Sequence, residues 1–357
     1  MTVEQQVRLQ FSTASREHAT HTNLSAVRSD GPVLWVAGDE TATVERLTAQ
    51  DGGWGSQQSF RLADLVRLPG AAEEEADVEG LARDGHFLWA VGSHSLRRKR
   101  IKSQHDGDEA LDRLATVRGQ ENRQVLLRLP VQDVDGLPCL ADEVTVDGQV
   151  HRAASFGVEG KDLRDLLADD EHVGPFLPIP GKDNGLDVEG IAVRGDTVYL
   201  GLRGPVLRGW AMVLQVRPYV DPDDASRLRL RGLGDGLRYR KHVLDLAGLG
   251  VRDLCPQGED LLVLAGPTMD LDGPVRVYRW HGAMAADPPT VIRGDELTAE
   301  VDLPYGEGTD HAEGIGLLGA SADGRLLVVY DSPSPIRLSD DGVLADVVTL
   351  TPAASGQ

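Results

Sequence analysis

A six-residue phrase recurs along the chain and limits the available folds more than any other feature. Asp77-Val78-Glu79-Gly80-Leu81-Ala82 returns as Asp187-Val188-Glu189-Gly190-Ile191-Ala192, and more loosely as His311-Ala312-Glu313-Gly314-Ile315-Gly316. Each copy leads through a short turn, in the last case Ser321-Ala322-Asp323-Gly324, into a strongly apolar segment: 86–92, 197–201 and 325–331. Self-similarity of this kind points to a repeat architecture built from strand–turn–strand units. Two further units keep the rhythm without the acidic phrase. One runs from Asn23-Leu24-Ser25-Ala26-Val27 to the strand 33–38, with Ser25 in the slot of Glu79. The other runs from Val251-Arg252-Asp253-Leu254 to the strand 261–266, with Asp253 aligned to the Glu slot.

Units beginning near residues 23, 77, 187, 251 and 311 predict an all-β chain folded as a β-propeller, with five blades the first choice and six the second. A blade takes about 40–50 residues. The interval from 77 to 187 is longer, so it holds either a sixth blade or an insertion. Residues 96–124 read as an insertion after the second blade's first strands: a basic run from Arg97 to Lys102, then an acidic and polar stretch. Leu163, Leu166 and Leu167 predict a short helix within 160–167. Residues 1–20 are expected as an N-terminal segment or outer strand, 21–350 as a single propeller domain, and 351–357 as a tail. The segment 343–350 is expected to supply a last outer strand.

Formal charge is −21, from 36 basic and 57 acidic residues. Such a body repels phosphate backbones and anionic membranes and attracts cations, so no nucleic-acid or membrane partner is expected. The first residues lack the basic-then-apolar pattern of a signal segment, and no apolar run spans a bilayer. Cys139 and Cys255 have no CxxC spacing, so they are expected as buried thiols in a cytoplasmic protein.

In a propeller the first strand of each blade lies beside the central axis. Glycine after the acidic residue lets neighbouring backbones approach there. Alternation along a strand puts Asp77 and Glu79 on one face with Val78 on the other. The prediction is that Glu79, Glu189, Glu313 and Asp253 converge on one end of the channel. Carboxylates so close take up protons or hold a cation or arginine. Oxygen donors suit Ca2+ or Mg2+. The competing architectural reading makes each acid a turn cap or a bond to a neighbouring blade. The next strands should end at the same mouth, presenting Asp39, Ser93, His94, Arg203 and Asp331. His94 is the general-base candidate, because imidazole titrates near neutrality; its alternative is a surface histidine without a role. Arg203 and Arg208 are candidates to clamp an anion, or to neutralise the acidic ring. The basic run Arg97 to Lys102 would be a lid, a strip for an acidic protein partner, or simply a solvated loop.

The phrases Asp77 to Ala82 with Gly92-Ser93-His94-Ser95, Asp187 to Ala192 with Leu202 to Trp210, and His311 to Ile315 with Val328 to Pro333 together resemble an uncharacterised bacterial β-propeller family, a domain-of-unknown-function family. The resemblance covers roughly residues 20–350 and implies a propeller. More distantly, the Glu-Gly pairs are similar to gluconolactonase and regucalcin-type propellers and to esterase-like phytases. That resemblance implies a divalent cation in the channel mouth, with Glu79, Glu189 and Glu313 in the metal position. Two functions are therefore carried forward. One is a metal-dependent hydrolase of a small ester, lactone or phosphoester, with His94 moving protons and Arg203 holding an anionic group. The other is a non-catalytic scaffold or binding module with a structural acidic ring.

Overall fold

The computed structural model describes residues 5–158, 162–234, 236–319 and 324–350. The Ser321-Ala322-Asp323 turn, residues 160 and 161, and the tail 351–357 lie outside them. The apolar segments become strands covered on both faces, because Val, Leu and Trp follow one another without a polar break; Val33–Gly38 is buried along its whole length.

After a first strand, β1 (Gln5–Gln10), the chain forms successive antiparallel meanders. The first is β2 (Leu24–Asp30), β3 (Val33–Gly38), β4 (Thr43–Gln50) and β5 (Gly53–Arg61). The second is β6 (Val78–Asp84), β7 (Phe87–Gly92), β8 (Leu126–Val134) and β9 (Ala154–Phe156). The third is β10 (Asp187–Arg194), β11 (Thr197–Leu207), β12 (Trp210–Val216) and β13 (Tyr239–Asp245). The fourth is β14 (Gly250–Gln257), β15 (Asp260–Gly266), β16 (Val275–Trp280) and β17 (Leu297–Leu303). The last is β18 (His311–Leu317), β19 (Arg325–Asp331) and β20 (Gly342–Thr349), and β1 completes it by pairing with β20 from Gln5↔Val347 to Gln10↔Gly342. The outermost position expected for 343–350 thus belongs to residues 5–10.

The inner strands β2, β6, β10, β14 and β18 lie side by side in that order, and β18 returns to β2. Apolar cores fill the wedges between successive sheets. Trp35 and Leu81 share the wedge between the first two meanders, Tyr199 and Trp280 that between the third and fourth. This is an all-β ring of propeller organisation. Outer edges are stitched by parallel pairing: β1 to β5, the segment Val291–Ile292 to β13, and Asp224–Leu230 to β9.

The long second unit carries extra residues between β8 and β9, where Glu143–Val146 pairs with Gln149–Arg152, and between β7 and β8. There Arg97–Arg98 pairs with Val117–Arg118, and a helix, α1 (Gly107–Ala115), spans the gap. The expected leucine helix is α2 (Leu163–Leu167), opened by a capping box on Asp162.

Glycine in the repeated phrase has the predicted steric cause. A Cβ on Gly80 would stand 2.9 Å from the Glu189 carbonyl oxygen, and one on Gly190 would stand 2.9 Å from Leu254 Cγ. Each glycine abuts the next inner strand around the ring.

Candidate functional site at the mouth of the ring

Every inner strand carries a register shift at the same place. The shifts fall between Leu24 and Ala26, Val78 and Gly80, Val188 and Gly190, Val251 and Asp253, and Ala312 and Gly314. A β-bulge inserts an unpaired residue and re-aims its side chain. The bulged residues are therefore Ser25, Glu79, Glu189, Arg252 and Glu313. This corrects the alignment of the fourth unit by one residue. Val251-Arg252-Asp253-Leu254 matches Val188-Glu189-Gly190-Ile191 position for position, so an arginine occupies the acidic slot and Asp253 the glycine slot. The flanking Val and Leu carried that signal.

Asp253 accordingly leaves the mouth and becomes part of the axis. It is completely buried, and Arg28 grips it with two bonds, Nη1 to Oδ2 at 2.9 Å and Nη2 to Oδ1 at 2.7 Å. Its oxygens also accept the Leu254 and Ile315 peptide N–H groups at 2.7 and 2.8 Å. Arg28 donates in addition to the carbonyls of Val27, Ile191, Leu254 and Ile315, which belong to four different inner strands. The pair is a plug: the Asp253 carboxylate, met on both oxygens, has no capacity left for a metal, although the buried Arg28 Nε finds no partner among the described residues.

Above the plug, arginines hold most of the mouth carboxylates. Arg203 pairs with Asp187 and, at 2.6 Å, with Glu189. Arg252 Nη1 bridges Glu189 at 3.2 Å and Glu313 at 2.7 Å, and its Nη2 donates to the Pro267 carbonyl. Arg123 joins Asp77 and Glu75, both at 2.5 Å. Among the described residues, Glu79, Asp39 and Asp331 have no such partner. Burial, then the charges of Asp77, Glu189, Asp39 and Glu313, push the Glu79 carboxyl well above its usual range. Burial, then Asp77 and Asp331, push Asp39 up to about 7. Burial also raises Asp187 to about 6 against the pull of Arg203, and raises Glu313 against that of Arg252. Carboxyls raised in this way and lining a cavity are the groups proton-transfer chemistry uses.

A cavity of about 490 Å3 gathers Asp39, Asp77, Glu79, Asp187, Glu189, Arg203, Glu313 and Asp331. Of the sequence-derived site residues it thus unites Glu79, Glu189, Glu313, Arg203, Asp39 and Asp331. The others lie elsewhere. His94 is 1% exposed; burial, with Arg164 nearby, drives its imidazole down to about 3, so it stays neutral and out of contact with solvent. Ser93 is buried and bonds the Ser95 hydroxyl at 2.9 Å. Arg208 sits in the exposed turn between Leu207 and Trp210 and does not line the cavity. Sequence reasoning missed Arg28, Arg123 and Arg252. Only Arg252 left a trace, through its place in the phrase.

Arg97, Arg98, Lys99 and Arg100 form the rim over this acidic floor. Much of their charge is met within the chain: Arg97 by Glu75, Arg98 by Asp183 and Arg100 by Asp270. A divalent ion would find oxygen donors of the right chemistry here. It would also have to displace Arg203 and Arg252 from Glu189 and Glu313. Among the described residues no three acidic, histidine or cysteine side chains are placed to hold one ion. As arranged, the residues do not fit a resident metal.

Sheets wrapped about one axis, bulged inner strands and an ion-paired acidic mouth define a propeller-type protein with a polar site on its axis. The chain belongs to the family described as protein of unknown function DUF3616, whose model matches residues 23–346. No curated protein matches it. Among solved structures it is similar to glutaminyl cyclase of Myxococcus xanthus, at 10% identity and a TM-score of 0.42, over 98% of this chain and 97% of that one. It is similar also to the PQQ-bound aldose sugar dehydrogenase of Streptomyces coelicolor, at 14% identity and 0.38, over 97% and 99%. A third is the Cps50 (Swd1) β-propeller domain of Myceliophteria thermophila, at 11% and 0.37, over 98% and 99%. No chemistry is drawn from these likenesses. Among the described residues, no helix is long and apolar enough to cross a membrane.

Proposed function

We propose that this chain is a five-bladed propeller whose mouth binds a small ester, lactone or phosphoester and hydrolyses it by proton transfer from carboxyl groups. The observation that carries the reading is the division among the mouth acids. Asp77, Asp187, Glu189 and Glu313 are held by arginines, while among the described residues Glu79, Asp39 and Asp331 face the same cavity with no ion-pair partner. Glu79, whose carboxyl burial and neighbouring acids push well above its usual range, serves as the acid toward a leaving oxygen. Asp39, raised to about 7, exchanges its proton in the physiological range. Arg203, braced by Asp187 and Glu189 on the cavity wall, positions an anionic or carbonyl oxygen.

The test is turnover of aryl acetates, aldonolactones and aryl phosphates by the wild type, Glu79→Gln and Asp39→Asn. Positioned proton transfer contributes about 10²–10⁴ in rate, so Glu79→Gln should lose at least about 100-fold. No turnover by the wild type, or full turnover by both variants, overturns the reading. The assay is repeated with Ca2+, Mg2+ and a chelator. A rate abolished by the chelator would mean that the arginines yield their carboxylates to an ion, as in a metal-dependent hydrolase.

A further inference from the structure

The mouth has a second lobe of about 330 Å3, which shares Arg203, Glu313 and Asp331 with the first. His311 lines it. In the last unit His311 takes the position that Asp77 and Asp187 take in the second and third, the opening residue of the phrase, so the fold delivers it to the same end of the axis. Its Nε2 lies 3.1 Å from Asp272 Oδ1. The other oxygen of Asp272 accepts the Gly308 peptide N–H at 3.0 Å. Asp272 stands between β15 and β16, and Gly308 just before β18, so loops of two neighbouring units fix the carboxylate that holds the ring. An acceptor at Nε2 selects the tautomer with its proton there and leaves the lone pair on Nδ1. The side chain is 32% exposed, where His94 is sealed.

We propose that His311, oriented by Asp272, is the residue that accepts the proton of the attacking water. The assignment rests on the hydrolase reading and places the scissile bond beside Arg203, Glu313 and Asp331, which line both lobes. Water oxygen bonds to the carbonyl carbon or phosphorus while its proton passes to His311 Nδ1. The bond from that centre to the leaving oxygen breaks, and the leaving oxygen takes the proton of Glu79. One water is consumed, and His311 returns its proton through solvent to the Glu79 carboxylate. Asp272 is a positioning residue and does not itself change charge.

The experiment uses the same substrate panel with His311→Ala, His311→Gln and Asp272→Asn, each checked for an unchanged unfolding midpoint. His311→Gln should lower kcat/KM by about 100-fold or more. Added imidazole should restore part of the rate to His311→Ala and none to Glu79→Gln. Asp272→Asn, which favours the other tautomer, should lower kcat and displace the acidic limb of the pH profile, leaving KM nearly unchanged. Turnover that depends on Glu79 but survives His311→Gln overturns the base assignment alone. Absence of turnover in the wild type overturns the hydrolase reading and this assignment with it. Loss in His311→Ala without imidazole rescue, together with an unmoved pH profile in Asp272→Asn, makes the histidine structural and also overturns the proposal.

Discussion

Asp253 and Glu79 are both carboxylates on inner strands, one residue apart in the repeat, and their surroundings are opposite. Asp253 receives two guanidinium bonds and two peptide N–H groups and is sealed from water. Among the described residues Glu79 receives none, and it lies among like charges in an open cavity. A buried carboxylate with all its lone pairs met is architecture. One left unmet is held at an energetic disadvantage, which a proton, a ligand or a substrate can relieve. The contrast separates the plug from the mouth, although both derive from the same repeated phrase.

The strongest way to break that contrast is to remove Arg28. Arg28→Met strands Asp253 and the carbonyls of four inner strands; removing one partner of a buried pair costs about 3–5 kcal/mol, to be read from urea unfolding. Arg28→Met combined with Asp253→Leu should recover much of the loss. Arg252→Gln comes next, at about 2 kcal/mol. Its penalty should be larger at pH 8 than at pH 5, because the freed Glu313, already raised by burial, takes up a proton more readily at the lower pH. Glu79→Gln should act with the opposite sign and stabilise the fold by about 1 kcal/mol at pH 8, with no gain at pH 5.

Spread over the whole ring, and the sum of several such groups, is the pH dependence of the wild type. Glu79, Glu313, Asp187 and Asp39 are raised in the folded state, the last two to about 6 and about 7. The folded chain therefore binds more protons than the unfolded one between about pH 4 and 7, and stability falls as pH rises through that window. Asp170, drawn down to about 2 against its own burial by Lys241 and Tyr239, works the other way. Its contribution is present above about pH 4 and lost as pH falls toward 2. The unfolding midpoint should be higher at pH 5 than at pH 8 and should decline again below pH 4. A midpoint that climbs steadily from pH 5 to 8 would contradict the protonation pattern of the mouth.

Much of the ring was legible in the chain. The inner strands followed from the phrase, and the glycine slots from the crowding of backbones at the axis. The fourth unit was misread because the alignment sought an acid, whereas the apolar flanks Val251 and Leu254 set the register. His94 was placed at the mouth because a glycine and serines surround it, a pattern that turns and buried crossings share. Whether such a segment ends in water depends on α2 and its Arg164, which bonds the His94 carbonyl from 70 residues away. Arg28 and Arg123 left no periodic mark. Long side chains reach partners across units, and a pattern along one strand does not record that reach.

The pairing of β1 with β20 has a mechanical consequence. The strands run antiparallel with Gln5 opposite Val347, so their outer ends lie together at one end of the ladder. Tension applied across residues 5 and 347 would load that rung first and then each rung in turn, peeling the seam open without ever shearing it as a block. A ring that resists heat through its wedged cores would therefore still open readily to an unfolding machine that grips one end, and the seam beside the first unit would be where threading begins.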